Sequence, residues 1–460
     1  MTLLAAKIAA ARTVGRLARR AGRGGGTSLP GKLLIGLEPE AIGELAARLS
    51  RGSAVISATN GKTTTAAMTA AVLERAGIQL VHNRAGANMA GGVASALLSA
   101  ARPHGTMEGE LGLFEVDEFW LDRLIPQLEP RAVLLGNLFR DQLDRYGELE
   151  TIADRWAAVV AAIGGSSALV LNADDPLIAD LGRHAPNVTY FGVEDGSVAM
   201  PEMQHASDSK HCRRCGAAYA YEAIYLGHLG RYRCPQCGQE RPQPAVAARE
   251  IRFEGTRGAS FSLLTPAGAT DVRLPLPGLY NVYNALGAAA LCLRLGIHPG
   301  DVVSGLQAVA AAFGRAETIT LGGVELSILL VKNPAGANEI LRTLTLERGE
   351  LDVLGILNDR TADGRDVSWI WDADFEVLAP HVRRATCAGT RAAELALRLK
   401  YAGVPVARLH VVPPLAKALD SAIAHAACGR LFALPTYTAL LELREELAGR
   451  GHVAQFWERR

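Results

Sequence analysis

Residues 53–65 read SAVISATNGKTTT, and this run decides the fold. Ser53, Ala54, Val55, Ile56 and Ser57 make a short buried strand that passes directly into Thr59, Asn60, Gly61, Lys62, Thr63 and Thr64. A helix from Thr64 to about Ala76 is expected next. Strand, glycine turn and helix in that order form a phosphate loop, where backbone N–H groups and a helix N-terminus converge on phosphate oxygens. Lys62 is placed to reach the terminal phosphates, and Thr63 to hold Mg²⁺ through its hydroxyl. The strict pattern G-x-x-x-x-G-K-[ST] is not met, because Ile56 stands at its first glycine. The flanking strand and helix give a bare Gly-Lys-Thr string the context that phosphate binding needs. The run therefore points to ATP or a close analogue, with a plain strand-to-helix turn as the lesser alternative.

Outward from the loop, the alternation of strand and helix repeats. Residues 111–116, 132–138 and 168–172 are apolar runs of strand length, and strands alternating with helices argue for a parallel α/β sheet covered on both faces. Ligands in such sheets bind at the carboxyl ends of the strands. Glu115 stands at one such end, with Asp117 and Glu118 just past it, and Glu115 is the expected Mg²⁺-contacting carboxylate. The alternative is that these three only solvate a strand end. Asp141 and Asp144 follow the next strand toward the same crevice. The rhythm breaks over residues 200–244, resumes as strands within 251–276 and a helix from Asn281 to about Leu295, and closes near Phe313, Gly314 and Arg315. Beyond Thr318 a second α/β unit has strands near 326–331, 353–357, 384–388 and 409–412. The expected division is a lead-in over 1–50, an ATP-binding domain over 51–315 and a smaller, Rossmann-like domain over 316–460.

The break contains Cys212-x-x-Cys215 and Cys234-x-x-Cys237, followed by Gly216 and Gly238. Two such knuckles have the spacing of a zinc ribbon, here inserted at about 205–245, whereas a redox pair needs only one. Four thiolates close a tetrahedral site with no open position, so this zinc is structural. Arg213, Arg214, Arg231 and Arg233 nearby read as a solvated basic face in preference to a nucleic-acid contact. Cys292, Cys387 and Cys428 are scattered in apolar stretches, and Cys292, on an apolar helix face, reads as core.

Composition narrows the class. A chain of 460 residues divides into two or three domains. With 49% apolar and 21% charged residues it is globular, and a net charge of +1 gives no reason to expect nucleic acid. Neither a secretory signal nor a spanning helix is expected, and paired thiols without export mean a cytoplasmic protein. Before Glu38 there are Lys7, Arg12, Arg16, Arg19, Arg20, Arg23 and Lys32 and no acidic residue. Leu4, Ile8, Ala11, Val14 and Ala18 recur at helical spacing, so a basic amphipathic helix is expected, docked on the core or touching an anionic membrane surface. Residues 358–376, NDRTADGRDVSWIWDADFE, form the densest polar run of the second unit. It begins at a sheet edge, where sites are usually built, and its plainer reading is an acidic turn capping a helix.

Four segments together resemble the Mur ligase superfamily: Thr59 to Thr65, Asn172 to Pro176 (NADDP), Gly278 to Ala285 (GLYNVYNA) and Phe313-Gly314-Arg315. The phosphate loop starts too early for the uridine-nucleotide domain of other members, four cysteines are inserted, and the last domain carries Lys332 to Asn338 (KNPAGAN) and Asp363 to Trp371 (DGRDVSWIW). These features are similar to the MurT-type subunits of lipid II isoglutaminyl synthase, over nearly the whole chain. Ala58 departs from the glycine of most relatives.

The resemblance implies ATP-dependent amidation of the D-glutamate α-carboxylate in the peptidoglycan stem of lipid II, giving D-isoglutamine through an acyl phosphate. It carries catalytic roles to Lys62 and Glu115 and nucleotide contacts to Asn284 and Arg315. It also implies a GatD-type class I glutamine amidotransferase partner that supplies ammonia. The acidic member of that partner's triad then comes from this chain at Asp366, with Asp359 and Asp363 as lesser candidates, and would orient the partner's imidazole as any triad acid does. A lipid-linked substrate adds weight to a membrane contact by the lead-in helix. A stand-alone ligase like folylpolyglutamate synthase shares the scaffold but has no cysteine ribbon. A zinc-ribbon nucleic-acid ATPase would need a basic, aromatic-rich surface, yet aromatics are only 5%.

Overall fold

The structure is a computed structural model that describes residues 7–8, 11–13, 28–83, 87–102, 106–140, 149–163, 165–204, 207–309, 315–427 and 429–453, with the backbone alone at 315 and 316. The first sheet is built from β1 (Ser53–Ser57), β2 (Leu80–His82), β3 (Leu111–Glu115), β4 (Ala132–Leu135), β5 (Ala168–Asn172), β6 (Val188–Val193), β9 (Val246–Phe253), β10 (Ala259–Thr265) and β11 (Gly268–Leu274). Its nine strands run in the order β11-β10-β9-β6-β5-β4-β1-β3-β2. Pairing is parallel from β2 to β9 and antiparallel from β9 to β11.

β1, β3, β4 and β5 are buried at every residue, as parallel strands covered on both faces must be. Side chains alternate across the sheet. Ala54 and Ile56 pack with Met68, Val72 and Leu286 on one face, and Val55 packs with Val93, Leu97 and Trp156 on the other. The helix after the phosphate loop starts at Lys62, two residues earlier than its sequence suggests, because Gly61 caps it directly. β4 ends at Leu135 and not at Leu138, because Asn137 leaves the ladder to bind the phosphate loop.

Of the basic lead-in, Lys7, Ile8 and Ala11 to Thr13 are described and helical, while Leu4, Val14 and Ala18 lie outside the described residues. Ile8 and Ala11 are buried in the core. Arg12 donates to the carbonyls of Leu98 at 2.9 and 3.1 Å, Ser99 at 3.2 Å and Ala101. These carbonyls end the helix Ala90–Ala100, which has no basic residue in its own last turn, so the arginine satisfies orphan acceptors and opposes the helix dipole.

A second sheet contains β12 (Arg315–Leu321), β13 (Val324–Leu329), β14 (Leu351–Ile356), β15 (Val382–Ala388), β16 (Leu409–Val411) and β17 (Arg430–Pro435). Its order is β12-β13-β17-β14-β15-β16, antiparallel only between β12 and β13. β14 is therefore an interior strand, and the acidic run leaves from its carboxyl end.

The cysteine-bearing segment forms the hairpin β7 (Ala220–Leu226) and β8 (Leu229–Arg233). Its tip is held on the first sheet: Tyr225, Leu226 and Leu229 join that core, and Gly230 N donates to the Asp174 carbonyl at 2.9 Å. Three of its arginines are engaged locally, Arg213 by Asp154, Arg214 by Asp180 and Arg231 by Glu194. At its base Arg241 donates to Asp174 at 2.5 Å and Glu194 at 2.6 Å, and Asp174 also accepts from Tyr283 Oη at 2.6 Å and Val193 N at 2.8 Å. Burial pushes the Asp174 pKa up, with Arg241 and Tyr283 opposing. Removing one partner of a buried pair leaves an uncompensated charge, which costs about 3–5 kcal/mol. Arg241→Ala is expected to lower the thermal unfolding midpoint strongly, and adding Asp174→Asn to recover part of the loss. Equal midpoints for wild type and Arg241→Ala would contradict this role.

Candidate active site

Gly61 holds φ at +87° at the head of the helix Lys62–Arg75. A Cβ there would lie 2.0 Å from Asn284 Oδ1, so this position needs glycine both for its backbone and for the close approach. Asn284, on the helix Leu279–Arg294, accepts from Thr65 Oγ1 at 3.2 Å and donates to Asn281 Oδ1 at 3.1 Å. The loop is braced from the other side by Asn137. Its Oδ1 accepts from Asn60 N at 2.9 Å, its Nδ2 donates to the Asn60 carbonyl at 2.9 Å, and its own carbonyl accepts from Thr59 N at 2.9 Å. Thr59 Oγ1 accepts from Phe139 N at 3.1 Å. A side-chain amide thus imitates a strand partner where the sheet has ended.

Lys62 is 8% exposed and donates to Glu118 Oε2 at 2.8 Å and to the carbonyls of Ala58 and Thr59. Burial opposes its charge, but Glu118 and then Glu115 and Asp117 overcome that and raise its pKa. Lys62 is therefore an ammonium. Sequence reasoning left Glu118 without a role; the ion pair gives it one. Glu115 and Asp117 are buried, so they do not solvate a strand end. Glu115 Oε1 accepts from Thr63 Oγ1 at 3.1 Å, and the Glu115 backbone is held by Asn83 at 2.7 and 2.9 Å. A hydroxyl beside a carboxylate is a fitting oxygen set for a hard cation. Asp141 and Asp144 lie outside the described residues, as does the side chain of Arg315, whose backbone heads β12.

The second sheet closes this loop into a cavity of about 330 Å³. Gly61, Lys62 and Glu115 wall one side, Leu226 and Leu229 of the hairpin another, and Glu339 of the helix Pro334–Leu344 a third. Asn333, the N-cap of that helix, donates to Asn60 Oδ1 at 3.0 Å and accepts from Asn60 Nδ2 at 3.4 Å. Lys332 Nζ reaches the Thr59 carbonyl at 3.4 Å.

The acidic run divides by environment. Asp359 binds Arg391 and Thr390, each at 2.8 Å, and these bonds hold its pKa below the ordinary value. Asp363 is buried and accepts from Thr438 N at 2.7 Å and from Thr438 Oγ1, although burial still raises its pKa. Asp366 is exposed and, among the described residues, accepts from Ser368 alone, at 2.8 Å from its N–H, which keeps the carboxyl ionised. Ala362, in the same loop, lines the cavity.

The four sulphurs of Cys212, Cys215, Cys234 and Cys237 lie within 4.8 Å of one another, and none is in a disulfide. Gly216 and Gly238 adopt φ of +77° and +73°, which turns each knuckle back on itself. Cys292 and Cys387 are buried away from this cluster, and Cys428 lies outside the described residues.

Two family descriptions match this architecture: Mur ligase middle domain over residues 56–235, and MurT ligase C-terminal over residues 330–440. The MurT subunit of lipid II isoglutaminyl synthase (glutamine-hydrolyzing) from Staphylococcus aureus strain N315 is 34% identical over 439 residues, covering 94% of this chain and 96% of its own. The chain belongs to the MurT family. The MurT subunit from Streptococcus pneumoniae strain R6 is 32% identical over 447 residues, covering 95% of this chain and 97% of its own. Among solved structures, a pseudomurein peptide ligase type C from Methanothermus fervidus superposes with a TM-score of 0.70 over 88% of this chain and 80% of its own, at 23% identity. MurF from Acinetobacter baumannii gives 0.66 over 93% and 80%, at 20% identity. These two show a Mur ligase-like α/β fold.

In this MurT-family chain the fit of Gly61 against Asn284 is the tightest constraint on the loop. Gly61→Ala is expected to weaken binding of Mg·ATP about tenfold or more, equal to about 1.4 kcal/mol, by calorimetric titration. An unchanged affinity in a folded variant would contradict this placement.

Proposed function

We propose that this chain is the synthetase subunit of a lipid II isoglutaminyl synthase. It activates the α-carboxylate of D-glutamate in the stem peptide with ATP, and ammonia from a glutaminase partner converts it to D-isoglutamine. Family membership supports the reaction. The observation that carries the division of labour is the loop after β14. It lines the cavity at Ala362 and presents a carboxylate to solvent at Asp366, four residues later. Four residues span at most about 14 Å, so surface and cavity are close neighbours.

A carboxylate resists attack by nitrogen until one oxygen becomes a good leaving group, and phosphorylation supplies it. Lys62, kept charged by its acidic neighbours, and the backbone of Thr59 to Thr64 stabilise negative charge on the transferring phosphoryl group. Thr63 and Glu115 are the residues that would hold Mg²⁺, which adds positive charge at the same place. Asn284, packed on the loop, and Arg315 complete the nucleotide contacts. The four cysteine sulphurs fit a structural zinc that holds the hairpin and keeps Leu226 and Leu229 against the cavity. The zinc ribbon is an insertion in the 51–315 domain, and 316–460 is a Rossmann-like domain that also receives the partner.

Asp366 is the acid this chain lends to the partner's cysteine–histidine pair, a role expected of a GatD-type amidotransferase. Asp359 and Asp363 are tied to Arg391 and Thr438, distant in the chain, whereas Asp366 is exposed and bonded only to its neighbour Ser368 among the described residues. Trp371 and Tyr401, exposed and edge-to-face with centroids 5.8 Å apart, offer apolar area for docking on the same domain. No helix among the described residues is long and apolar enough to cross a membrane. We place the protein in the cytoplasm, at the inner membrane face where lipid II is reached, with the basic lead-in as the peripheral contact.

The test uses the complex with its glutaminase subunit. Asp366→Asn is expected to reduce glutamine hydrolysis by about 10²–10⁴-fold, in line with loss of a triad acid, while Mg·ATP binding and amidation from ammonium chloride persist. Unchanged glutamine hydrolysis would place the acid elsewhere.

A further inference from the structure

Glu339 points into the cavity from the helix Pro334–Leu344 and belongs to none of the roles above. It is 3% exposed, and among the described residues its carboxylate has no hydrogen-bond or ion-pair partner. An unpartnered buried carboxylate is costly, so packing does not explain it. It shares the lining of that cavity with apolar residues such as Leu329, Leu330 and Ile340 and with Lys332. Burial pushes its pKa up to about 7, with Arg342 opposing. The preceding residue, Asn338, is tied to the acidic run: its Nδ2 donates to Asp374 Oδ2 at 3.0 Å, and its Oδ1 accepts from Asp374 N at 2.8 Å. The helix that turns Glu339 inward is therefore anchored to the segment that carries Asp366.

We propose that Glu339 is the catalytic base of the amide-forming step. The proposal rests on the amidation reading and adds to it the group that takes the proton from the nitrogen. The ammonia lone pair forms the C–N bond at the carbonyl carbon of the acyl phosphate, and the nitrogen becomes positively charged. One N–H proton passes to the Glu339 carboxylate. The adduct then collapses, the C–O bond to phosphorus-bound oxygen breaks, and its electron pair leaves with inorganic phosphate. A primary amide, phosphate and a protonated Glu339 result. A carboxylate in this cavity suits a nucleophile that gains positive charge as it attacks, and a base is most effective when its pKa lies near the working pH.

The experiment compares wild type, Glu339→Gln and Glu339→Asp, each in complex with the glutaminase subunit. Glu339→Gln is expected to lower amidation from both glutamine and ammonium chloride by about 10²–10⁴-fold. Glutamine hydrolysis, Mg·ATP binding and capture of the acyl phosphate by hydroxylamine should persist, because the hydroxylamine adduct sheds its proton without help. Glu339→Asp should restore part of the amidation. Wild-type amidation by Glu339→Gln would overturn the proposal, as would loss of hydroxamate formation in parallel with amidation, which would place Glu339 before the acyl phosphate. A wild-type complex that forms hydroxamate but no amide would overturn the amidation reading itself, and this role with it.

Discussion

Two asparagine side chains, Asn60 in the phosphate loop and Asn333 at the N-cap of the helix Pro334–Leu344, exchange hydrogen bonds across the two sheets. Each amide offers one donor and one acceptor to the other, so the contact fixes orientation as well as distance. The helix it anchors also meets the acidic run, the cavity and the hairpin. Asn338 holds the acidic run, Glu339 faces the cavity, and Arg342 donates to the carbonyls of Tyr225 at 3.0 Å and Val198 at 2.9 Å beside the cysteine-bearing hairpin. A small change in how that helix sits would move nucleotide loop, acidic run and hairpin relative to one another.

Charge is arranged to leave little unbalanced at the cavity wall. Lys62 carries its ammonium because three carboxylates surround it, and phosphate arriving there would exchange one anionic neighbour for another. Three arginines of the insertion, Arg213, Arg214 and Arg231, are paired with Asp154, Asp180 and Glu194, which depletes the basic face that a nucleic acid would need. Glu339 is the contrast, a buried acid with no hydrogen-bond or ion-pair partner among the described residues.

The parts of the fold set by local chemistry were legible from the amino acids. A short, largely apolar run that passes into Thr59 and the glycine turn reads as a covered strand, and two C-x-x-C knuckles followed by glycines already imply that four sulphurs meet. What stayed hidden depended on distant partners. β17 is a six-residue run, RLFALP, lying between helices whose apolar residues mask its period. β2 has three residues, too few for any periodicity. Nothing local says that Glu118 pairs with Lys62, or that Gly61 must clear Asn284. The three aspartates of the acidic run look alike in sequence, and only Arg391 and Thr438, far along the chain, distinguish Asp359 and Asp363 from Asp366. Glu339 reads as an ordinary polar residue on an amphipathic helix, and burial alone reveals it.

We propose that nitrogen from the glutaminase partner reaches the cavity across the loop that carries Ala362 and Asp366, without entering bulk solvent. Isotope tracing tests this most directly. The complex would be given glutamine labelled with ¹⁵N at its side-chain amide, lipid II, Mg·ATP and an excess of unlabelled ammonium, and the product amide analysed by mass spectrometry. Label retained in the D-isoglutamine, undiluted by the free ammonium, is the predicted result. A product whose label is diluted toward that of the bulk ammonium would contradict the direct route.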